Sequence, residues 1–240
     1  MSHRGESNFP NLKRRRFQFR EKWGSLVNRS KANLSRVRSA IAYRLTEPVV
    51  RVLVRTRLTP SAITWFGFIL VLGAAALIIT AHPFAAGFVV LLAGFFDILD
   101  GALARRIEQV TPFGAVLDST LDRLSEAVVL LAILVSFGRS PLLVLLVFLA
   151  LLGSLLVSYI RARAEAVGLG CQVGLFTRAE RVVVLALGLL LSHIAFYPEK
   201  SVIFLGTRVN ALVIALAIIV VFSFFTFGQR LVYVWRQTKK

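Results

Sequence analysis

The sequence is short of cysteine, histidine and acidic residues, and each shortage argues against a class of site. Cys171 is the single cysteine among 240 residues, so no disulfide can form within the chain. The three histidines, His3, His82 and His193, are far apart and lack the spacing of a metal site. The 12 acidic residues are outnumbered by 29 lysines and arginines, which gives a formal net charge of +17. The basic excess therefore needs an anionic partner.

Apolar residues are abundant and are concentrated in long blocks. They make up 57% of the chain and the mean hydropathy is +0.74, whereas soluble domains average about 45–50% apolar residues. Six blocks approach the roughly 20 residues needed to cross a bilayer. They cover 61–80, 84–104, 115–137, 141–160, 180–197 and 209–228. The pattern predicts an all-α membrane protein with six transmembrane helices in a single domain, 58–240.

The basic residues are concentrated before the first apolar block. Residues 1–30 are polar and lack periodicity, which predicts a flexible basic tail. Residues 31–57 place apolar side chains at helical spacing between arginines, which predicts an amphipathic helix on the membrane surface. Anionic membrane lipid is favoured over nucleic acid as the partner, since each basic residue near such a surface contributes roughly 1 kcal/mol.

The charges between the blocks predict the orientation of the chain. Arginines are frequent in the second connection, near Arg105, and in the fourth, between Arg161 and Arg181. Under the positive-inside rule, these connections and both termini lie in the cytoplasm. The sequence therefore predicts a multi-pass protein of the cell membrane whose functional face is cytoplasmic.

All four aspartates of the chain fall within a short stretch. Asp97 and Asp100 lie three residues apart in the second block, and Asp118 and Asp122 lie four apart in the third. Both spacings place two side chains on one face of a helix. Because the connection between the blocks is short, we expect the two helices to be antiparallel neighbours with their carboxylate pairs at the same depth.

Four converging carboxylates need a cation, because an uncompensated charge at membrane depth is unfavourable. Arg105 or Arg123 could supply it, but carboxylate oxygens suit divalent ions such as Mg²⁺ or Mn²⁺ better. Two such ions could clamp a diphosphate. A structural ion-pair network or a cation transporter is the alternative. Small residues beside the pairs, Gly101, Ala104 and Gly114, favour a site with room for a phosphate.

The aspartates belong to a longer pattern that resembles the signature of the CDP-alcohol phosphotransferases. Its eight fixed residues are Asp97, Asp100, Gly101, Ala104, Arg105, Gly114, Asp118 and Asp122. All eight are present at the family's spacing. The resemblance extends in weaker form from about Leu58 to the end of the sixth block, and the six membrane helices of the family agree with the apolar blocks.

The resemblance implies metal ligands and a base. Asp97, Asp100 and Asp118 would bind metal, and Asp122 would complete the second of two Mg²⁺ or Mn²⁺ sites. Asp122 would also be the general base that deprotonates the acceptor hydroxyl.

The resemblance also implies the donor, CDP-diacylglycerol. Its cytidine diphosphate part would contact Gly101 and Arg105, with Thr111 nearby. The segment at the entry to the first block would border the same group: Pro60, Ser61, Ala62, Ile63 and Thr64.

Two arginine-rich segments resemble those of the bacterial phosphatidylinositol-phosphate synthases. One closes the fourth block and the other opens the fifth. Guanidinium groups give planar, multidentate recognition of phosphate, which a phosphorylated acceptor needs. The resemblance implies that Arg163, Arg178 and Arg181 hold the acceptor phosphate, with Ser158 and Arg161 beside them. Membrane anchoring or helix-end Arg–Glu pairing is the alternative role for these arginines.

The predicted reaction is a phosphatidyl transfer. The acceptor hydroxyl attacks the β-phosphate of CDP-diacylglycerol, CMP leaves, and phosphatidylinositol phosphate forms if the acceptor is inositol phosphate. A phosphatidylglycerophosphate synthase, a cation transporter and a membrane anchor remain as alternatives. The family further implies a homodimer, and nucleic acid is not an expected partner.

Overall fold

The computed structural model describes residues 46–54, 58–107, 111–137, 140–171, 173–194, 203–204, 207–208 and 210–239. A short helix, α1 (46–53), ends at the boundary of the helical domain, which extends from Leu53 to Lys240. The predicted tail, 1–30, lies outside the described residues, as does most of the predicted surface helix at 31–57.

Six further helices make up the domain. They are α2 (Pro60–Ile79), α3 (Pro83–Arg106), α4 (Pro112–Phe137), α5 (Pro141–Ala166), α6 (Arg178–Ile194) and α7 (Ala211–Thr238). Two short strands, β1 (Ile203–Phe204) and β2 (Thr207–Arg208), pair antiparallel between α6 and α7. The all-α class is confirmed, and each of the six helices overlaps one predicted apolar block.

Local sequence signals explain where several helices begin. Four helices start at a proline, because its fixed φ suits the first turn and its missing N–H needs no partner there. These prolines are Pro60, Pro83, Pro112 and Pro141. Thr59 caps α2 by accepting a hydrogen bond from the Ala62 N–H at 3.3 Å. Asn210 caps α7 in the same way, with Val213 as donor at 3.0 Å.

The helices form a closed ring of neighbours. α2 packs against α3 and α4, α3 against α6, α6 against α7, α7 against α5, and α5 against α4. Buried Leu130, Ile133, Leu189 and Leu216 belong to the common core. The carboxylates of α3 and α4 meet, as expected of neighbouring helices with their acidic pairs at the same depth. The two helices have little direct backbone contact, however, because each packs against α2 and the acidic side chains occupy the space between them.

Four of the helices are long and apolar enough to cross a bilayer among the described residues, namely α2, α3, α5 and α7. α4 carries Asp118, Asp122, Arg123 and Glu126 in its first four turns, and α6 has only 17 residues and begins with charged ones. The predicted multi-pass character is confirmed. Length and composition identify four spans among the described residues, and the count of six stays a prediction.

Large apolar side chains cover the outer surface of every helix of the ring. Examples with large exposed fractions are Ile69, Phe88, Val135, Phe148, Leu191 and Val221. A soluble domain rarely exposes so continuous an apolar surface. Lipid is the environment that this surface fits.

Candidate active site

Three of the four aspartates converge between α3 and α4. Asp97, Asp100 and Asp118 each offer one carboxylate oxygen, and these three atoms lie within 4.8 Å of one another. Asp100 is 5% exposed, and its Oδ2 has no hydrogen-bond partner among the described residues. A buried, unpartnered carboxylate oxygen beside two further carboxylates is an arrangement that a hard divalent cation satisfies. The residues present therefore fit the predicted metal.

A cavity of about 20 Å³ lies beside this cluster. Its polar lining comes from α2, α3, α4 and α6: Thr64, Asp97, Asp100, Asp122, Ser125 and Arg178. Thr64 is the last residue of the segment 60–64, which the resemblance places beside the cytidine diphosphate part of the donor. Ser125 was not predicted from the sequence, although it follows Asp122 by three residues and so lies on the same helix face.

Asp122 is held by an arginine. Its Oδ1 lies 2.6 Å from Nη1 of Arg178, and the same nitrogen lies 2.5 Å from Oδ2 of Asp97. The guanidinium of Arg178 thus bridges α3 and α4 and compensates two of the four carboxylates. The sequence predicted Asp122 as a metal ligand and Arg178 as a phosphate ligand, and the structure brings these two residues into direct contact.

Arg178 is the first residue of α6, and a capping box fixes that position. The Thr177 N–H donates to Oε2 of Glu180 at 2.8 Å, and the Thr177 hydroxyl donates to the same oxygen. This is the reciprocal half of a Thr-x-x-Glu box, in which the glutamate reaches back to the cap residue. The site arginine therefore starts from a defined helix end.

Arg181 lies one turn deeper along α6 and is 2% exposed. Its Nε and Nη2 donate to the two carboxylate oxygens of Glu126 at 2.7 and 3.0 Å. The hydroxyl of Ser154 donates to the same carboxylate at 2.7 Å. Nη1 of Arg181 has no partner in the part of the chain that the structure describes. Glu126 was missed, although it follows Asp122 by four residues and so lies on the same helix face.

The other predicted acceptor contacts lie on the last turns of α5. Arg161 pairs with Glu165 at 2.9 Å across one exposed helical turn, which is the alternative role raised above. Arg163 is exposed and Ser158 is half-buried. Their contact with an acceptor stays a prediction.

The predicted donor contacts lie at the ends of α2, α3 and α4. Gly101 adjoins Arg105, since a Cβ at Gly101 would lie 3.4 Å from Nη1 of that arginine. The Thr111 hydroxyl accepts a hydrogen bond from the Gly114 N–H at 3.0 Å and so caps α4. The first turn of α2 contains the remaining four: Pro60, Ser61, Ala62 and Ile63.

Comparison with known proteins finds the family suggested by the aspartate signature, and the match covers most of the chain. Residues 57–225 match the family model for CDP-alcohol phosphatidyltransferase. The archaetidylinositol phosphate synthase of Methanothermobacter thermautotrophicus is 36% identical over 213 residues, which cover 89% of this chain and 98% of that protein.

Solved structures agree with the fold. The crystal structure of Mycobacterium tuberculosis phosphatidylinositol phosphate synthase with CDP-DAG bound matches with a TM-score of 0.68 at 36% identity, over 80% of this chain and 94% of that one. The structure of that synthase in complex with manganese and citrate also matches with a TM-score of 0.68 at 36% identity, over 79% and 88% of the two chains.

The predicted resemblance is confirmed. The aspartate signature lies inside the matched region, and three of its carboxylates converge in a fold that the solved synthase shares. This chain is a membrane transferase that belongs to the CDP-alcohol phosphatidyltransferase family.

Proposed function

We propose that this chain transfers the phosphatidyl group of CDP-diacylglycerol to inositol phosphate and releases CMP. The observation that carries the proposal is the convergence of Asp97, Asp100 and Asp118 beside Arg178. Acidic groups suit a metal-bound diphosphate, and an adjacent guanidinium suits a phosphorylated acceptor. The names of the relatives support both substrates, since one synthase holds CDP-DAG and both make inositol phosphate lipids.

The four aspartates would hold two divalent cations, Mg²⁺ or Mn²⁺, and the manganese complex of the solved synthase supports this choice. Such ions, when bound, neutralise a diphosphate and make a coordinated hydroxyl more acidic. Asp122 lies outside the cluster of three carboxylate oxygens, but its side chain also lines the cavity. That position favours Asp122 as the base that takes the hydroxyl proton.

The bond changes define what each group does. The hydroxyl oxygen of the acceptor forms a bond to the β-phosphorus of the donor, and its proton passes to the carboxylate of Asp122. The bond from that phosphorus to the bridging oxygen breaks, and its electrons leave with CMP. Gly101, Arg105 and Thr111 would hold the cytidine diphosphate part, beside the first turn of α2.

Arg178 connects the metal ligands with the acceptor. Without other cations its guanidinium compensates Asp97 and Asp122. A divalent cation bound by the same carboxylates would repel this guanidinium and weaken its pairing with them. We propose that Arg178 is then free to bind the acceptor phosphate, together with the unpaired Nη1 of Arg181 and with Ser158, Arg161 and Arg163 at the end of α5.

The proposal also includes the orientation of the chain in the membrane and its assembly into a dimer. We propose that α4 and α6 also cross the membrane, because their charged side chains find partners inside the ring and Val135 and Leu191 remain exposed outside it. The aspartates then face the cytoplasm, and two copies form a homodimer as the family implies. Impermeant thiol labelling of single engineered cysteines would test the orientation, and crosslinking in membranes would test the dimer.

Four acceptors tested in parallel decide the proposed function. Purified protein with CDP-diacylglycerol and Mg²⁺ or Mn²⁺ is expected to release CMP fastest with inositol phosphate, and a chelator is expected to stop the release. Inositol is the matched control, because it lacks only the phosphate that the arginines would bind. A higher rate with glycerol phosphate would select the alternative synthase. Equal rates with inositol or serine would contradict the proposed phosphate pocket. The absence of CMP release with every acceptor would contradict the proposed transferase reaction.

Replacing Arg178 by glutamine is expected to change two affinities in opposite directions. The affinity for Mn²⁺ without substrates should rise by about tenfold, because a competing cation is lost. The KM for inositol phosphate should also rise by about tenfold or more, because a charge-assisted contact is lost. Titration calorimetry and CMP release measure the two effects, and exposed Arg236→Gln is the matched control. Weaker Mn²⁺ binding would contradict the proposed competition, and an unchanged KM would contradict the acceptor contact.

A further inference from the structure

α7 carries a buried arginine that the proposed reaction leaves without a function. Arg230 is 5% exposed. Its Nε donates to the carbonyl oxygen of Val173 at 2.7 Å, and its Nη1 donates to the carbonyl oxygen of Val157. Val157 lies near the end of α5, and Val173 lies in the segment that leads into α6. One guanidinium therefore joins α7, the end of α5 and the approach to α6.

A second residue of α7 holds the same segment. The Phe176 N–H donates to the hydroxyl of Thr226 at 3.3 Å, and Thr226 is fully buried. Thr226 precedes Arg230 by four residues, so both side chains lie on one face of α7. The backbone of 173–176 is thus fixed at both ends, immediately before the Thr177 cap and Arg178.

Gly174 allows this close approach. Its φ is +147°, which residues with a side chain rarely adopt. A Cβ at this position would also lie 2.9 Å from Cγ2 of Thr226 and 3.2 Å from Nε of Arg230. The segment and the two α7 side chains therefore fit together only with glycine between them.

We propose that Arg230 is a positioning residue for the acceptor side of the site. It joins Val157, the neighbour of Ser158, to the segment that ends at Arg178, so it sets the spacing between two groups proposed to bind the acceptor phosphate. The inference rests on that proposed function. None of the described hydrogen bonds of Arg230 reaches α3 or α4, which carry the donor-side aspartates.

The planar guanidinium explains why an arginine stands here. Its Nε and Nη1 donors diverge, so one side chain reaches two carbonyl groups from different elements. An ammonium group is a single compact head on a flexible stem and does not hold two carbonyls in a fixed relation. Arg230→Lys is therefore expected to retain only part of the positioning, because lysine can hold one of the two carbonyl groups but not both in a fixed relation.

The test compares Arg230→Gln with Arg236→Gln, an exposed arginine six residues further along the same helix. Arg230→Gln is expected to raise the KM for inositol phosphate by about ten- to a hundredfold, the size of effect that misplacing a binding group produces. The KM for CDP-diacylglycerol should stay within about twofold, because a change of this kind acts only on the displaced group. Hydrogen exchange should become faster in peptides that cover 173–177 and stay unchanged in α3 and α4. Arg236→Gln should change none of these.

The outcomes separate positioning from simple stability. Faster exchange at 173–177 with an unchanged acceptor KM would overturn the proposal, as would equal rises in both KM values or unchanged exchange. If Arg230→Gln does not fold, Arg230→Lys provides the same pair of measurements with a milder change. Absence of turnover in the unmodified protein would refute the proposed function, and the exchange data would still show whether Arg230 holds the segment.

Discussion

Asp122→Asn is expected to lower the rate of CMP release by about a thousandfold or more, close to the background rate. Asparagine has nearly the same shape as aspartate but cannot take the proton of the acceptor hydroxyl. It also removes one of the two carboxylates that hold Arg178. Steady-state CMP release by the purified variant, with saturating inositol phosphate and CDP-diacylglycerol, measures the effect.

The control for Asp122→Asn is an acid outside the site. Glu47→Gln removes one carboxylate from α1, where it pairs with Arg51 at 3.6 Å, and its rate should stay within about twofold, as expected for a substitution outside the proposed site. Thermal unfolding of both variants would test whether the fold is retained, and midpoints close to that of the unmodified protein are expected. If Asp122→Asn releases CMP at a rate near that of the unmodified protein, Asp122 is not the base.

The acidic part of the site was predictable because its signal is local. Spacings of three and four residues along a helix place Asp97 with Asp100, and Asp118 with Asp122, before any tertiary contact is known. The eight-residue signature gave the family on the same local evidence. The convergence of Asp97, Asp100 and Asp118 confirms that the two helix faces meet.

The arginines of the site were predicted from the resemblance, but their carboxylate partners were not, because those partners are distant in sequence. Arg178 reaches Asp97 and Asp122, and Arg181 reaches Glu126, only through the packing of α6 against the ring. No periodicity along one helix encodes which helix lies opposite. The same limit explains why the packing of α2 against both α3 and α4 was not predicted, since a short connection does not reveal which third helix packs against the two helices that it joins.

The helix starts coincide with local capping signals more closely than with the edges of the apolar blocks. Four prolines mark the starts of α2, α3, α4 and α5, and Thr177 with Glu180 marks the start of α6. The apolar blocks alone placed four of these five starts one to three residues late and matched only the start of α5. Hydropathy finds the centre of a membrane helix, whereas capping residues and proline find its end.

The second large effect is expected in stability, at the pair formed by Arg181 and Glu126. Arg181→Gln leaves the Glu126 carboxylate buried without its partner, and Glu126→Gln leaves the guanidinium in the same state. Each single change should cost about 3–5 kcal/mol, because an uncompensated buried charge is more unfavourable than the loss of the whole pair. Thermal unfolding in detergent should show a lower midpoint for both.

Replacing both partners separates this structural role from the proposed contact with the acceptor. The double variant Glu126→Leu with Arg181→Met removes both charges, so most of the lost stability should return. Its KM for inositol phosphate should nevertheless stay about tenfold above that of the unmodified protein, because the spare Nη1 donor beside Arg178 is gone. A stable double variant with an unchanged KM for inositol phosphate would show that Arg181 only supports the fold. Arg178 would then bind the acceptor phosphate without help from Arg181. A double variant as unstable as the single ones would instead show that the pair contributes more than the cancellation of two buried charges.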